Sequence, residues 1–242
     1  MLDLGLAALV VCAGAVVLGS LVQGTVGFGL ALVASPVLLL VDDRLVPAAM
    51  LVLSGVLPWT TLAQEWRHVD WHGLRWSLGG RLVGTAGGVW VVGALGPDGV
   101  GVTVALMVLM AVAVTLSGVH LPVNRRNLAV AGALGGVGGT AAGIGGPPLA
   151  VLYSGASGPR IRATLAAFFA VGHAVSLTAL LVAGVVDVRA LGTGALLLPA
   201  TLVGAWLARR WRHHIDAGRT RPAVLGIASV SAIALLVRAV WS

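Results

Sequence analysis

The chain has 242 residues, of which 58% are hydrophobic and only 10% charged, and its mean hydropathy is +1.02. So much apolar sequence leaves no room for a sizeable soluble domain, and the composition is that of a membrane protein. The formal net charge is +7, but all 15 basic residues are Arg and most fall in short loops between apolar runs, a topology signal and not the basic face of a nucleic-acid binder.

The opening Met1-Leu2-Asp3-Leu4-Gly5 lacks a basic n-region, so the first apolar run reads as mature structure and not a cleaved signal. The lone Cys12 excludes an internal disulfide. A membrane-spanning helix needs about 20 apolar residues. Residues 4–41 are too long for one span and are cut near Gly24-Thr25-Val26-Gly27-Phe28-Gly29, ahead of Ser35-Pro36. Asp42 and Asp43 close this segment in a polar turn. Runs of span length follow at roughly 45–64, 73–93 and 100–118. Residues 128–155 form a second long segment, cut at Gly139-Thr140-Ala141-Ala142-Gly143-Ile144-Gly145-Gly146-Pro147-Pro148. Its arms, about 15 and 11 residues, are short for two crossings. Three more spans are expected at roughly 163–183, 190–208 and 222–241.

The two halves match at a nearly constant offset. Gly27 pairs with Gly143 116 residues on; Gly55 with Gly172, Thr61 with Thr178, Asp70 with Asp187 and Leu74 with Leu191 pair at 117. The pattern predicts one membrane domain over 1–242 built by duplication, with repeat 1 at about 1–120 and repeat 2 at about 121–242. Arg67 and Arg75, Arg125 and Arg126, Arg160 and Arg162, and the group Arg209 to Arg221 mark four loops as cytoplasmic by the positive-inside rule. The stretch between Arg125 and Arg162 must then enter and return as a hairpin. The first broken segment does the same from outside, so both termini are expected outside and the repeats are inverted. Trp66, Trp71, Trp76, Trp206 and Trp211 bracket the cytoplasmic loops at headgroup depth.

Opposed hairpins bring their breaks together near the midplane, where half-helix N-termini offer unpaired N–H groups and partial positive charge to an anion. Pro147 or Pro148 suits the first turn of such a half-helix. Gly27, Gly29, Gly143, Gly145 and Gly146 are the backbone candidates, and Thr25, Ser35 and Thr140 the hydroxyl candidates. The competing explanation, close helix packing through small residues, fits Gly80, Gly84 and Gly88. Arg81 falls inside a span, either at the substrate path or snorkelling to the cytoplasmic headgroups. His173, mid-span, is either an anion donor and proton carrier or a hydrogen-bonded core residue. Gln23, Gln64 and Asn127 are expected to bridge or cap helices. No Asp or Glu lies within an expected span, which disfavours a metal-cation carrier. No metal-ligand spacing and no cofactor motif is present. Gly155-Ala156-Ser157-Gly158 has the form of an intramembrane serine-protease motif, but His173 lies about 24 Å further along a continuous helix, so Ser157 reads as part of a turn.

These residues resemble the TauE/SafE family of membrane transporters over nearly the whole chain. The resemblance rests on both broken segments, on Val186-Asp187, and on Pro199, Gly204 and Arg209-Arg210. Where the family often has Gly-Gly-Gly, the first break here has Val26 and Phe28 between its glycines, and the second has Pro147 next to its own. The resemblance implies a multi-pass protein of the bacterial cell (inner) membrane that moves small sulfur-containing anions such as sulfite, sulfoacetate or other organosulfonates. The expectation is therefore an all-α polytopic bundle with two pseudo-inverted repeats, each a Gly-broken hairpin plus three spans. It would carry a small anion, with protons as candidate partner, by alternating access. An uncoupled anion channel is the alternative, and an intramembrane enzyme a distant third.

Overall fold

The computed structural model describes residues 4–117 and 121–211. The expected span at 222–241 and the loop arginines beyond Arg210 lie outside the described residues. The described chain is all-helical: α1 (Leu6–Val26), α2 (Leu30–Val41), α3 (Ala48–Glu65), α4 (Trp71–Ser117), α5 (Arg125–Ala142), α6 (Pro147–Leu152), α7 (Gly158–Val182) and α8 (Val188–Trp211). Among the described residues four helices, α1, α4, α7 and α8, are long and apolar enough to cross a membrane. Large apolar side chains such as Leu18, Leu82, Val83, Leu106 and Leu202 are exposed, while Ser20, Ser77, Thr85 and Thr201 are buried. That inversion of the soluble pattern is what a lipid solvent selects.

The two expected spans at 73–93 and 100–118 are the halves of α4. They are separated at Gly96, whose φ of 61° lies outside the helical region, with Pro97 restarting the helix. The expected span at 45–64 becomes α3, which is not among the four long apolar helices. Its last turns carry Thr60, Thr61, Gln64 and Glu65, which face a cavity instead of lipid. The arms of the second broken segment are 18 and 6 residues, not the expected 15 and 11. α5 starts early because the Asn124 side chain accepts the Asn127 N–H, a true N-cap. α6 stops early in a tight turn in which Ser154 N–H donates to Val151 O.

Both breaks fall where glycine clusters predict them. α1 ends at Gly27 (φ 98°, ψ −12°) and α5 at Gly143 (φ 73°, ψ 0°), each in the left-handed conformation that closes a helix C-terminus and favours glycine. Three residues then separate α1 from α2, and four separate α5 from α6.

The packing is reciprocal. α4 packs chiefly on α5, α8 packs on α1, and α3 packs on α7. Along α4 and α5 the backbones touch: a Cβ on Gly80 or Gly84 would overlap the carbonyl of Ala129 or Ala133. These glycines serve close approach, as expected for Gly80, Gly84 and Gly88. Gly204 of α8 meets the Val17 carbonyl of α1 in the same manner.

The polar ends sort onto two sides. Trp76 has the Arg75 guanidinium at 5.5 Å and that of Arg125 at 5.2 Å from its ring, which joins the first turns of α4 to the start of α5. Asp70 accepts from the Tyr153 hydroxyl at 2.9 Å and from Arg160 at 3.1 Å, so the end of α6 and the start of α7 reach the same side. Burial pushes the Asp70 carboxyl up, but the Gly73 N–H, the Tyr153 hydroxyl and Arg160 outweigh it and hold the group below its ordinary value. On the other side Arg44 pairs with Asp42 at 2.8 Å and lies close enough to feel the charges of Asp187 and Asp43.

Candidate functional site

The two breaks line one small cavity. Gly29, Ala31 and Leu32 come from the first, and Gly143, Ile144, Gly145, Gly146 and Pro147 from the second. Gln23, Phe28, Ser54, Phe169 and His173 complete the wall. The empty space is about 260 Å³, its open mouth included.

The first break supplies backbone donors. The first four N–H groups of a helix have no partner within it. In α2 the Leu30 N–H donates to Gln23 Oε1 at 3.2 Å and the Val33 N–H to Gly29 O at 3.2 Å. Gln23 is thus a helix cap, as its position suggested. No hydrogen bond among the described residues takes the N–H of Ala31 or Leu32, both in the cavity wall.

The second break is chemically different. Its half-helix opens with Pro147 and Pro148, which have no N–H to give. The prolines fit the first turn as expected, yet they remove two donors. Gly145 and Gly146 keep theirs, and no hydrogen bond among the described residues takes either. Positive charge arrives instead from Arg81 of α4. Arg81 is 1% exposed, so it does not snorkel. Its guanidinium lies 4.6 Å from the centre of the Phe168 ring, with Nη1 3.4 Å from Gly135 O and Nη2 3.5 Å from Ser176 Oγ. Nε has no partner. The group fits only because Gly139, Gly145 and Gly172 lack side chains: a Cβ on Gly145 would stand 3.0 Å from Nη1, and one on Gly172 would overlap Nε and Cζ. Among the described residues the ion pairs are Asp42–Arg44, Asp70–Arg160 and Glu65–Arg162, so no carboxylate neutralises Arg81.

His173 lies on α7 with its ring stacked on Phe169, centroids 5.5 Å apart. Ser54 donates to Met50 O at 2.5 Å, so its oxygen is left to accept from His173 Nε2 at 3.5 Å. His173 Nδ1 is buried without a partner.

The hydroxyl candidates hold the frame instead of the cavity wall. Ser35 donates to Ala142 O at 2.7 Å, tying α2 to the last carbonyl of α5. Thr25 donates back to Leu21 O and Val22 O in its own helix. Thr140 and Ser176 share a hydrogen bond at 2.8 Å beside Arg81. In this arrangement the Ser35 and Thr25 protons go to backbone carbonyls, and that of Thr140 is available only to, or through, Ser176. Gly27 lines a second, wider cavity that shares Gln23 and Phe169 with the first as wall residues. Sequence reading did not single out Ser54, Phe28, Phe169, Ser176 or Gly172 as site residues. Phe169, Gly172 and Ser176 lie within about one helical turn of His173 and Phe28 lies between two candidate glycines, while Ser54 on α3 is near no candidate in sequence and acquires meaning only from the packing. Ser157 sits at the start of α7, far from His173 near the middle of that helix. Among the described residues no group of His, Cys, Asp or Glu could hold a metal ion.

Searches against curated proteins and solved structures return no match. The family described as "Sulfite exporter TauE/SafE" matches residues 11–235. The chain therefore belongs to the TauE/SafE family and is a multi-pass membrane transporter, not an enzyme.

Proposed function

We propose that this transporter carries a small anion, held between the two breaks, by alternating access of two inverted repeats. The observation that carries the reading is Arg81: a buried guanidinium with no carboxylate partner among the described residues, standing directly behind Gly145. An isolated buried charge costs several kcal/mol, and a transported anion is the partner that offsets it. Arg81 is ten residues into α4, about 15 Å from its start at 1.5 Å per residue. That depth is half of a hydrocarbon core about 30 Å thick. Backbone donors approach from Ala31, Leu32, Gly145 and Gly146, and His173 Nδ1 accepts a proton as the anion enters.

The repeat reading is supported by element boundaries. α2 and α6 start 117 residues apart, as do α4 and α8, and α3 and α7 end 117 apart. The pairing of α4 with α5 and of α8 with α1 is the exchange expected of a pseudo-twofold axis. The family's description favours sulfite as cargo, and our reading extends this to related sulfonates and to a bacterial inner membrane. The test is sulfite and sulfoacetate flux into proteoliposomes, with and without a pH gradient. Saturable uptake in the wild type, abolished in Gly143→Leu and Arg81→Gln while both still insert, is the expected result. Normal flux in either variant refutes the site, and flux indifferent to the gradient favours an uncoupled facilitator.

A further inference from the structure

The wider cavity lies on the side of the arginine-rich loops, between α1, α3, α7 and α8, and holds about 590 Å³ of open space. Glu65 at the end of α3 and Arg162 in the first turns of α7 line it and form an ion pair at 2.6 Å. The pair is single-pronged. Only Arg162 Nη2 and Glu65 Oε1 meet, while Arg162 Nε and Glu65 Oε2 are buried without partners among the described residues. A structural Arg–carboxylate pair gains most from the two-pronged geometry. This pair forgoes it and leaves a guanidinium edge and a carboxylate oxygen unused at a cavity wall. Arg209 of α8 lines the same space, so among the described residues two cations face one carboxylate there. The Arg162 stem also packs on Gly27, where a Cβ would stand 3.1 Å from Cγ. The group that faces the vestibule thus touches the residue that ends α1.

We propose that Arg162 is a loading station for the transported anion, and that Glu65 is the built-in competitor occupying it when the vestibule is empty. The inference rests on the anion-transport reading above. An arriving oxyanion takes the guanidinium edge from Glu65 and frees the tie between α3 and α7. It then moves past Gln23 and Phe169, which belong to both cavities, to the breaks. The exchange needs no bond making. It replaces one carboxylate–guanidinium pair by another oxyanion–guanidinium pair and leaves Glu65 facing water.

The experiment separates the station from the central site. Sulfite-dependent stabilisation of the purified protein in detergent is followed by thermal unfolding in a Gly143→Leu background, where the central cavity is closed. Sulfite should still stabilise this variant. Adding Arg162→Gln should abolish the effect, and adding Glu65→Gln should lower the half-saturating sulfite concentration by roughly fivefold, the upper end for a partly exposed ion pair. Glu65→Gln combined with Arg162→Gln should match Arg162→Gln alone. Should Glu65→Gln fail to fold, Glu65→Asp, with its shorter reach, is expected to shift the midpoint in the same direction by less. No sulfite effect in Gly143→Leu, or an effect unchanged by Arg162→Gln, overturns the station and leaves the central site standing. Full transport by Gly143→Leu overturns the central site instead, whatever the vestibule does.

Discussion

Gly172→Ala is the sharpest test of where the Arg81 charge sits. The added methyl would overlap Nε and Cζ of Arg81, and Arg81 is too enclosed to step aside. Forcing one carbon into a filled core costs about 1–3 kcal/mol. Lifting the guanidinium from Phe168 forfeits a desolvated cation–π contact of about 2 kcal/mol. The intrinsic gain of Ala over Gly inside a helix returns about 1 kcal/mol, so the net loss is about 2–4 kcal/mol. Gly55 of α3, 117 residues earlier, supplies the control, because nothing lies within 4 Å of its added Cβ. Gly55→Ala should therefore be neutral or stabilising by up to about 1 kcal/mol. Thermal unfolding of the two proteins in the same detergent reads the difference. A double-mutant cycle with Arg81→Ala should show Gly172→Ala losing most of its penalty once the guanidinium is gone. Equal stability of Gly172→Ala and Gly55→Ala, or a penalty that survives Arg81→Ala, would refute the placement.

Two further outcomes follow from the hydrogen bonds. Ser35→Ala leaves the Ala142 carbonyl without its donor and should cost about 1–3 kcal/mol of stability, while the KM for the anion stays within about twofold; a tenfold rise in KM would return this hydroxyl to the binding site. Asp70, held below its ordinary value, contributes stability that is present above the unfolded carboxylate value of about 4 and is lost as pH falls through the lower folded value. The wild type should therefore lose unfolding temperature below about pH 4 more steeply than Asp70→Asn, and parallel curves would show that Asp70 does not carry the effect.

The helices and both breaks were legible because lipid permits few alternatives. A long apolar run must be helical, and a cluster of glycines within it offers the left-handed position at which one helix ends before the next starts. Gly27 and Gly143 needed no partner to reveal themselves. The hydroxyls were not placed by the sequence, because Ser35 and Thr25 carry the same donor whether they face a ligand or a carbonyl, and their partners here include residues as far away as Ala142. The glycine cradle of Arg81 could not be read for a related reason: Gly139 and Gly172 lie on different helices, and their shared neighbour appears only when α4, α5 and α7 meet. Glu65 escaped notice because it stands one residue beyond an expected span, where a charge reads as loop, although the helix carries it into a cavity wall.

The reciprocal packing also governs how the molecule is made. α1 leaves the ribosome first, yet its most extensive neighbour, α8, begins 162 residues after α1 ends. At about 5–20 residues per second that is a wait of about 8–30 seconds. Through that interval the buried face of α1, with Ser20, Gln23 and the close-packing Gly19 and Gly24, has chiefly α2 and passing lipid for company. Synthesis of the second half is therefore the event that seals the first. A chain stalled at its midpoint presents an open, sticky helix to the membrane's quality control.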